Sequence, residues 1–219
     1  MKFKAVIFDC DGVIVDTETI NNQILKQKLA EHGLTLSALE MHQKFSGLTA
    51  EENRKTAEAL IGKSLPDSFI TELRAEFHRR INEHLEPIKD IPELISRINT
   101  PIAMATNAHR PAMDFKLNKI GLIDQFKQRF CIDDVPNPKP HPDLYLLAAN
   151  ALNTAPQDCL VIEDSTAGIT AGVKAGMTVY GFCECSDQES QIQAGASKSF
   201  PTIRQLIEHL QTLNLLNPS

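Results

Sequence analysis

Ala5-Val6-Ile7-Phe8-Asp9-Cys10-Asp11-Gly12-Val13-Ile14-Val15-Asp16-Thr17 begins as an unbroken apolar run and leaves it through two carboxylates one residue apart, with glycine directly after them. Four apolar residues with no polar alternation predict a strand buried on both faces, as in a parallel sheet covered by helices. Similar short runs recur at 102–105, 130–132, 160–162 and 179–182. Helical patterns fill the gaps at 91–98, 111–120, 142–152 and 165–175, and a last one covers 202–216. Strands alternating with helices in this way give an α/β fold with a doubly wound parallel-sheet, Rossmann-like core.

From Thr17 to about Leu85 the strand signal stops. Four amphipathic patterns, 18–32, 37–44, 49–60 and 67–83, take its place and predict an all-helical insertion after the first strand. Its hinges fall at Val15-Asp16 and at Glu86-Pro87-Ile88, where proline breaks the helical pattern. The expected division is residues 1–15 with 86–219 as the α/β unit and 16–85 as the helical unit. Gly168, Gly172 and Gly176, four apart, read as a small-residue ridge that lets one soluble helix lie close on the sheet.

Composition narrows the partners. The 219 residues carry a formal net charge of −6 without a Lys/Arg cluster, which argues against nucleic acid or an anionic membrane surface. The expected partner is a small phosphorylated metabolite, and the expected state a monomer or weak homo-oligomer. Five cysteines, Cys10, Cys131, Cys159, Cys183 and Cys185, lack metal-ligand spacing and fit free thiols in a reducing, cytoplasmic setting. The amino end runs straight into a strand, so no targeting segment is expected.

The chemistry-bearing residues follow the strands. Asp9 and Asp11 leave the first one, and Gly12 lets the chain turn there without a Cβ clash. Two carboxylates this close suit phosphoryl transfer, one attacking phosphorus and the other, protonated, serving the leaving oxygen. Asp-x-Asp-Gly alone reads equally well as a polar turn. Glu163-Asp164 leave the run 160–162, and the carboxyl ends of parallel strands share one edge, so four acids would meet there and require a cation. Hard oxygen donors beside a phosphate favour Mg²⁺. The plainer reading of Asp164 or Ser165 is a helix N-cap, which leaves Glu163 unexplained. Thr106 and Asn107 end the run 102–105, where a hydroxyl and backbone N–H groups could hold phosphoryl oxygens. Lys139, in Asn137-Pro138-Lys139-Pro140-His141-Pro142, sits in a proline-stiffened loop that would fix its ammonium near the nucleophile. His109, Arg110 and His141 read as helix-start and loop residues.

Taken together, these residues resemble the haloacid dehalogenase-like hydrolase superfamily. Asp9-Cys10-Asp11-Gly12 is similar to its first motif, Thr106 to its second, Lys139 to its third, and Glu163-Asp164-Ser165 with Ala167-Gly168 to its fourth. The resemblance implies Asp9 as nucleophile, Asp11 as general acid and then base, and Thr106 and Lys139 as phosphoryl holders. It also implies Mg²⁺ held by Asp9, Asp164 and the Asp11 carbonyl, with Glu163 acting through water, and a mobile helical cap that selects the substrate. Asp11 argues for phosphate esters, since the dehalogenases lack it. The marks Gly12-Val13-Ile14-Val15-Asp16-Thr17-Glu18 and Gly47-Leu48-Thr49 resemble β-phosphoglucomutase and the sugar-phosphate and 6-phosphogluconate phosphatases. Mutases of that group place histidine where Asn21 falls and arginine where Ala50 falls, so a phosphatase is expected and a phosphosugar mutase is the alternative. Asn21, Lys44 and Arg54 are the expected substrate contacts in the helical insertion.

Overall fold

The computed structural model describes residues 3–45, 48–183 and 188–218; Gly47 and Cys185 lie outside them. The first strand, β1 (Ala5–Phe8), is wholly buried and lies between β2 (Ile102–Ala105) and β4 (Cys159–Glu163). β3 (Arg129–Phe130) extends the sheet beyond β2, and β5 (Thr178–Phe182) and β6 (Lys198–Phe200) extend it beyond β4. All five pairings are parallel, in the order β3-β2-β1-β4-β5-β6. The chain builds outward from β1 to one side and then returns to build on the other. The crevice beyond the carboxyl end of β1 is therefore the switch point where α/β sheets carry their ligands.

Strand alternation sorts the core. Ala5, Ile7, Ala103, Ala105, Cys159, Val161 and Val179 share one buried cluster with Leu144, Tyr145 and Ala148 of α7 (Asp143–Ala151) and Ile169 and Ala171 of α8 (Thr166–Lys174). On the other parity Phe8 meets Phe126 edge to face, with ring centroids 5.9 Å apart. Each fully buried large side chain of this kind stabilises the fold by about 1.5–3 kcal/mol. Two more helices, α5 (Ile91–Arg97) and α10 (Ile203–Thr212), pack on each other, and α10 also packs on β6. α6 (Arg110–Lys119) is tied to β3 by Arg129 Nε donating to Asp114 Oδ1 at 2.6 Å and by Arg110 Nη1 donating to the Arg129 carbonyl at 3.0 Å.

Four features of the fold differ from what the sequence predicts. The run 130–132 is not a strand throughout, because Ile132–Asp134 forms a turn of 3₁₀ helix braced by His109 and Arg110, which bond Asp133 and Asp134. β6 and the short helix α9 (Gln188–Gln193) escaped it because Lys-Ser-Phe and Gln-Glu-Ser-Gln-Ile-Gln carry no apolar period. The helix expected to reach 216 stops at Thr212, and Asn214 turns the chain at φ 56°. Gly176 is no part of the small-residue ridge, since α8 has already ended and Gly176 takes φ 77° beyond it. Gly172 does what the ridge predicts: a Cβ there would stand 2.6 Å from Val179 Cγ2 on the sheet.

The chain divides into two units, Met1–Asp16 with Glu86–Ser219, and Thr17–Leu85. In the first, the two crossing segments are paired, Val15 bridging Pro87 and Ile88 N–H donating to the Ile14 carbonyl at 2.9 Å. The second contains α1 (Thr17–Glu31), α2 (Ala38–Phe45), α3 (Ala50–Ile61) and α4 (Phe69–His84) around Leu25, Leu29, Met41, Phe45, Ala57 and Phe69. Thr49 and Glu52 form a reciprocal capping box at the start of α3. No helix among the described residues is long and apolar enough to cross a membrane.

Candidate active site

Asp9 follows the last residue of β1, and its N–H donates to the Ile162 carbonyl at 3.0 Å, so it lies beside the end of β4 where Glu163 and Asp164 stand. One carboxylate oxygen from each of Asp9, Glu163 and Asp164 lies within 4.8 Å of the other two. Thr106 leaves β2, and Lys139 arrives from the long connection after β3. Asp9, Asp11, Thr106, Asn107, Lys139, Glu163 and Asp164 line one cleft of about 500 Å³ together with Lys116, Ala108, Ser165 and Ala167.

Lys139 is the centre of the charge pattern. Its side chain is 3% exposed, and Nζ donates to Asp9 Oδ1 at 2.5 Å and to Glu163 Oε1 at 2.7 Å while lying 4.8 Å from the Tyr145 ring centroid. Burial alone would lower its pKa, but the two carboxylates outweigh that and hold it well above the ordinary lysine value. Burial acts on Asp9 in the opposite sense, pushing its carboxyl up to about 7 against the pull of Lys139. A buried carboxylate left in that condition gains from a second cation. Formally, four acids (Asp9, Asp11, Glu163, Asp164) face two ammonium groups (Lys116, Lys139), and the excess of two negative charges matches a divalent ion.

The acids are not equivalent. Glu163 is fully buried and both its oxygens are occupied, Oε1 by Lys139 and the Tyr145 hydroxyl (3.0 Å), Oε2 by the Ser165 N–H (2.8 Å) and hydroxyl (3.0 Å). Four donors use the lone pairs of this carboxylate and make Glu163 the anchor of Lys139. Asp11 lines the same cleft but stands apart from the three converging acids. Its carboxylate is gripped by Lys116 Nζ at 2.5 and 2.7 Å. Ser165, not Asp164, caps α8 by accepting from Gly168 N–H at 3.0 Å.

Two glycines make room for these acids. Gly12 turns at φ 81°, and a Cβ on it would stand 2.1 Å from Asp164 Oδ2. A Cβ on Gly168 would stand 1.6 Å from Glu163 Oε1. Asn107 lines the cleft and is also a brace: its amide accepts from the Lys139 N–H (3.0 Å) and donates to the Lys139 carbonyl (3.1 Å), which clamps the lysine loop. Thr106 is buried, and its hydroxyl accepts from Ala108 N–H at 3.1 Å, leaving its own hydrogen for donation into the cleft. Sequence reasoning missed Lys116, Tyr145 and Gln191. Gln191, fully buried on α9, donates to the Asp164 carbonyl at 2.7 Å and so steadies the backbone of that acid. Tyr145 and Lys116 sit at apolar-face positions of their helices, where a polar residue is the available signal.

In the helical unit a separate cavity of about 340 Å³ is lined by Asn21, Asn53, Ala50, Arg74 and His78 among others. Among the described residues Lys44 and Arg54 do not line it. Arg54 instead holds the α3–α4 connection, donating to Glu58 (3.1 Å), the Leu65 carbonyl (3.0 Å) and Asp67 (3.3 Å), and Lys44 is exposed on α2.

Sheet order, switch-point cleft and the acid–lysine cluster define the class: a doubly wound α/β protein with a charged cleft at its switch point. A family model described as haloacid dehalogenase-like hydrolase matches residues 6–182, and the chain belongs to that family. It is 32% identical over 184 residues to the 6-phosphogluconate phosphatase of Escherichia coli (strain K12), covering 83% of each protein. It is 30% identical over 200 residues to the phosphorylated carbohydrates phosphatase of Thermotoga maritima, covering 88% of this chain and 92% of that one. A HAD family hydrolase from Deinococcus radiodurans R1, solved with bound phosphate and sodium, superposes with a TM-score of 0.90 at 29% identity, over 100% of this chain and 99% of that one. The enzyme is thus a haloacid dehalogenase-like hydrolase of the phosphatase kind.

Proposed function

We propose that this chain is a Mg²⁺-dependent phosphatase of small phosphorylated sugars or sugar acids, working through an aspartyl-phosphate on Asp9. The observation that carries the reading is the convergence of Asp9, Glu163 and Asp164 around the buried ammonium of Lys139. Asp9 Oδ1 is taken by Lys139, while Oδ2 makes no hydrogen bond among the described residues and is the oxygen that attacks phosphorus. As that bond forms, the bond from phosphorus to the leaving oxygen breaks, and Asp11 passes its proton to that oxygen. Asp11 then takes a proton from water, the water oxygen bonds phosphorus, and the acyl-phosphate bond opens to return Asp9 and release phosphate. Thr106 donates to a non-bridging oxygen, and Lys139 offsets the charge gathered at Asp9.

Asp9, Asp164 and the Asp11 backbone carbonyl would hold the metal, with Glu163 outside its shell. Bound there, Mg²⁺ would supply charge neutralisation for the acids and the phosphoryl oxygens. The hard, all-oxygen donor set fits that ion. The names of the relatives support sugar phosphates as the substrate class, and Asn21 in the helical cavity is the residue through which the rest of such a substrate would be read.

A phosphosugar mutase is the second reading. It draws on Arg74, which lines the helical cavity and has no carboxylate partner among the described residues, so that it is available to a second phosphate. Ala50 lines the same cavity without a charge and supports hydrolysis. Incubation with a hexose 1-phosphate separates the two: free phosphate supports the phosphatase, and the 6-phosphate isomer the mutase. Turnover of p-nitrophenyl phosphate should need Mg²⁺ and stop with chelator; undiminished turnover in excess chelator refutes the metal-dependent scheme.

A further inference from the structure

Among the described residues two lysines are buried, Lys139 and Lys116, and each ends on one aspartate of the Asp9-Cys10-Asp11 pair. Lys139 belongs to the third motif that the sequence displays. Lys116 belongs to none. It lies on the inner face of α6 with Met113 and Leu117, spaced i, i+3 and i+4, where an apolar side chain would ordinarily stand. An ammonium is costly to bury unless it is paired. Its pairing is two-pointed, to Asp11 Oδ1 at 2.5 Å and Oδ2 at 2.7 Å.

Holding the fold does not account for this choice. α6 is already fastened by Met113 and Leu117 in the core and by the ties from Arg110 and Asp114 to β3. The partner, moreover, is a carboxylate still 35% exposed at the cleft wall, on a turn rather than inside a strand. A short side chain on a turn has several staggered orientations open to it. Gripping both oxygens from one side selects one of them. Proton transfer depends on such selection, since a carboxylate displaced by about 1 Å can forfeit on the order of a hundredfold in rate.

We propose that Lys116 is the positioning residue for Asp11, holding its carboxylate in the orientation that the two proton transfers need while leaving the attack of Asp9 on phosphorus untouched. The inference rests on the aspartyl-phosphate reading above, and it separates the two halves of the cycle. A nitrophenolate leaving group departs without a proton. Formation of the phosphoenzyme from p-nitrophenyl phosphate then needs Asp9 but not Asp11, whereas its hydrolysis needs Asp11 as base.

The experiment is rapid-mixing kinetics on p-nitrophenyl phosphate with Mg²⁺, using the full chain and the variants Lys116→Met, Lys116→Arg, Asp11→Asn and the double variant Lys116→Met/Asp11→Asn. Lys116→Met should release about one nitrophenolate per enzyme in a burst and then turn over about 10- to 100-fold more slowly than the unaltered enzyme, with KM not raised. Lys116→Arg, whose guanidinium can also fork a carboxylate, should regain most of the rate. The double variant should be no slower than Asp11→Asn alone, because both changes act through one carboxylate. Unchanged turnover in Lys116→Met and Lys116→Arg alike, or losses that multiply in the double variant, would overturn the role of Lys116. Should Asp11→Asn itself turn over normally, the catalytic reading falls first, and that result is distinct from a failure confined to Lys116.

Discussion

The charges of the cleft in the α/β unit and those of the helical unit obey opposite rules. In the cleft, Lys139 and Glu163 have side chains 3% and 0% exposed, and the ammonium and both carboxylate oxygens are hydrogen-bonded. In the helical unit, Arg79 and Glu83 are 51% and 45% exposed and belong to a chain of i,i+3 and i,i+4 pairs with Glu76 and Arg80. The first kind is costly to form and fixes geometry, while the second is screened by water and contributes little. Burial, not the number of ion pairs, sets the cleft charges apart from those of the helical unit.

The sharpest way to break that contrast is Asp9→Asn. It should reduce turnover of p-nitrophenyl phosphate by about 10³-fold or more while far-ultraviolet circular dichroism remains unchanged. An active Asp9→Asn enzyme would remove the special standing of the cleft. Lys139→Met comes next, because it strands Asp9 and Glu163 without a cation. Chemical denaturation should show a loss of about 3–5 kcal/mol together with loss of activity. Gly168→Ala tests the same crowding from the other side, since its Cβ would sit 1.6 Å from Glu163 Oε1, and about 1–3 kcal/mol should be lost along with turnover. Gly62→Ala in the helical unit is its counterpart. Gly62 caps α3 at φ 75° with nothing near a Cβ, so about 1 kcal/mol should be lost with the rate constant of the chemical step intact.

Titration gives a gentler test. The folded-state pKa of Asp9 is raised, to about 7 from 3.8, so its protonated form favours folding below pH 4 and that contribution disappears as pH climbs through 7. Metal-free protein should therefore lose stability between about pH 4 and pH 7. A divalent cation favours the ionised carboxylate, so the rise in unfolding midpoint on adding Mg²⁺ should be larger at pH 8 than at pH 5.5. An equal rise at both would separate Asp9 from the metal. Arg79→Ala should do least, leaving both the midpoint and turnover within error, and a large loss there would erase the distinction between the two sets of charges.

Legibility followed the same division. The apolar runs named β1, β2, β4 and β5, because fully buried parallel strands show themselves without any partner in view. β6 escaped because an edge strand needs only one neighbour and can be polar. Asp9, Thr106, Lys139 and Asp164 stood out because each follows a strand or a stiffened loop. Lys116 gave no such sign, since its partner lies 105 positions earlier in the chain.

The buried strands β1, β2, β4 and β5, the acids that leave them and the glycine beside Asp11 were determined by the sequence alone, since burial period and turn chemistry are local. The saturation of Glu163 by four donors, the clamp of Asn107 on the lysine loop and the grip of Lys116 on Asp11 were decided only by tertiary structure. Each depends on which atoms a buried charge can reach, and that distance is set by how helices lie on the sheet rather than by spacing along the chain.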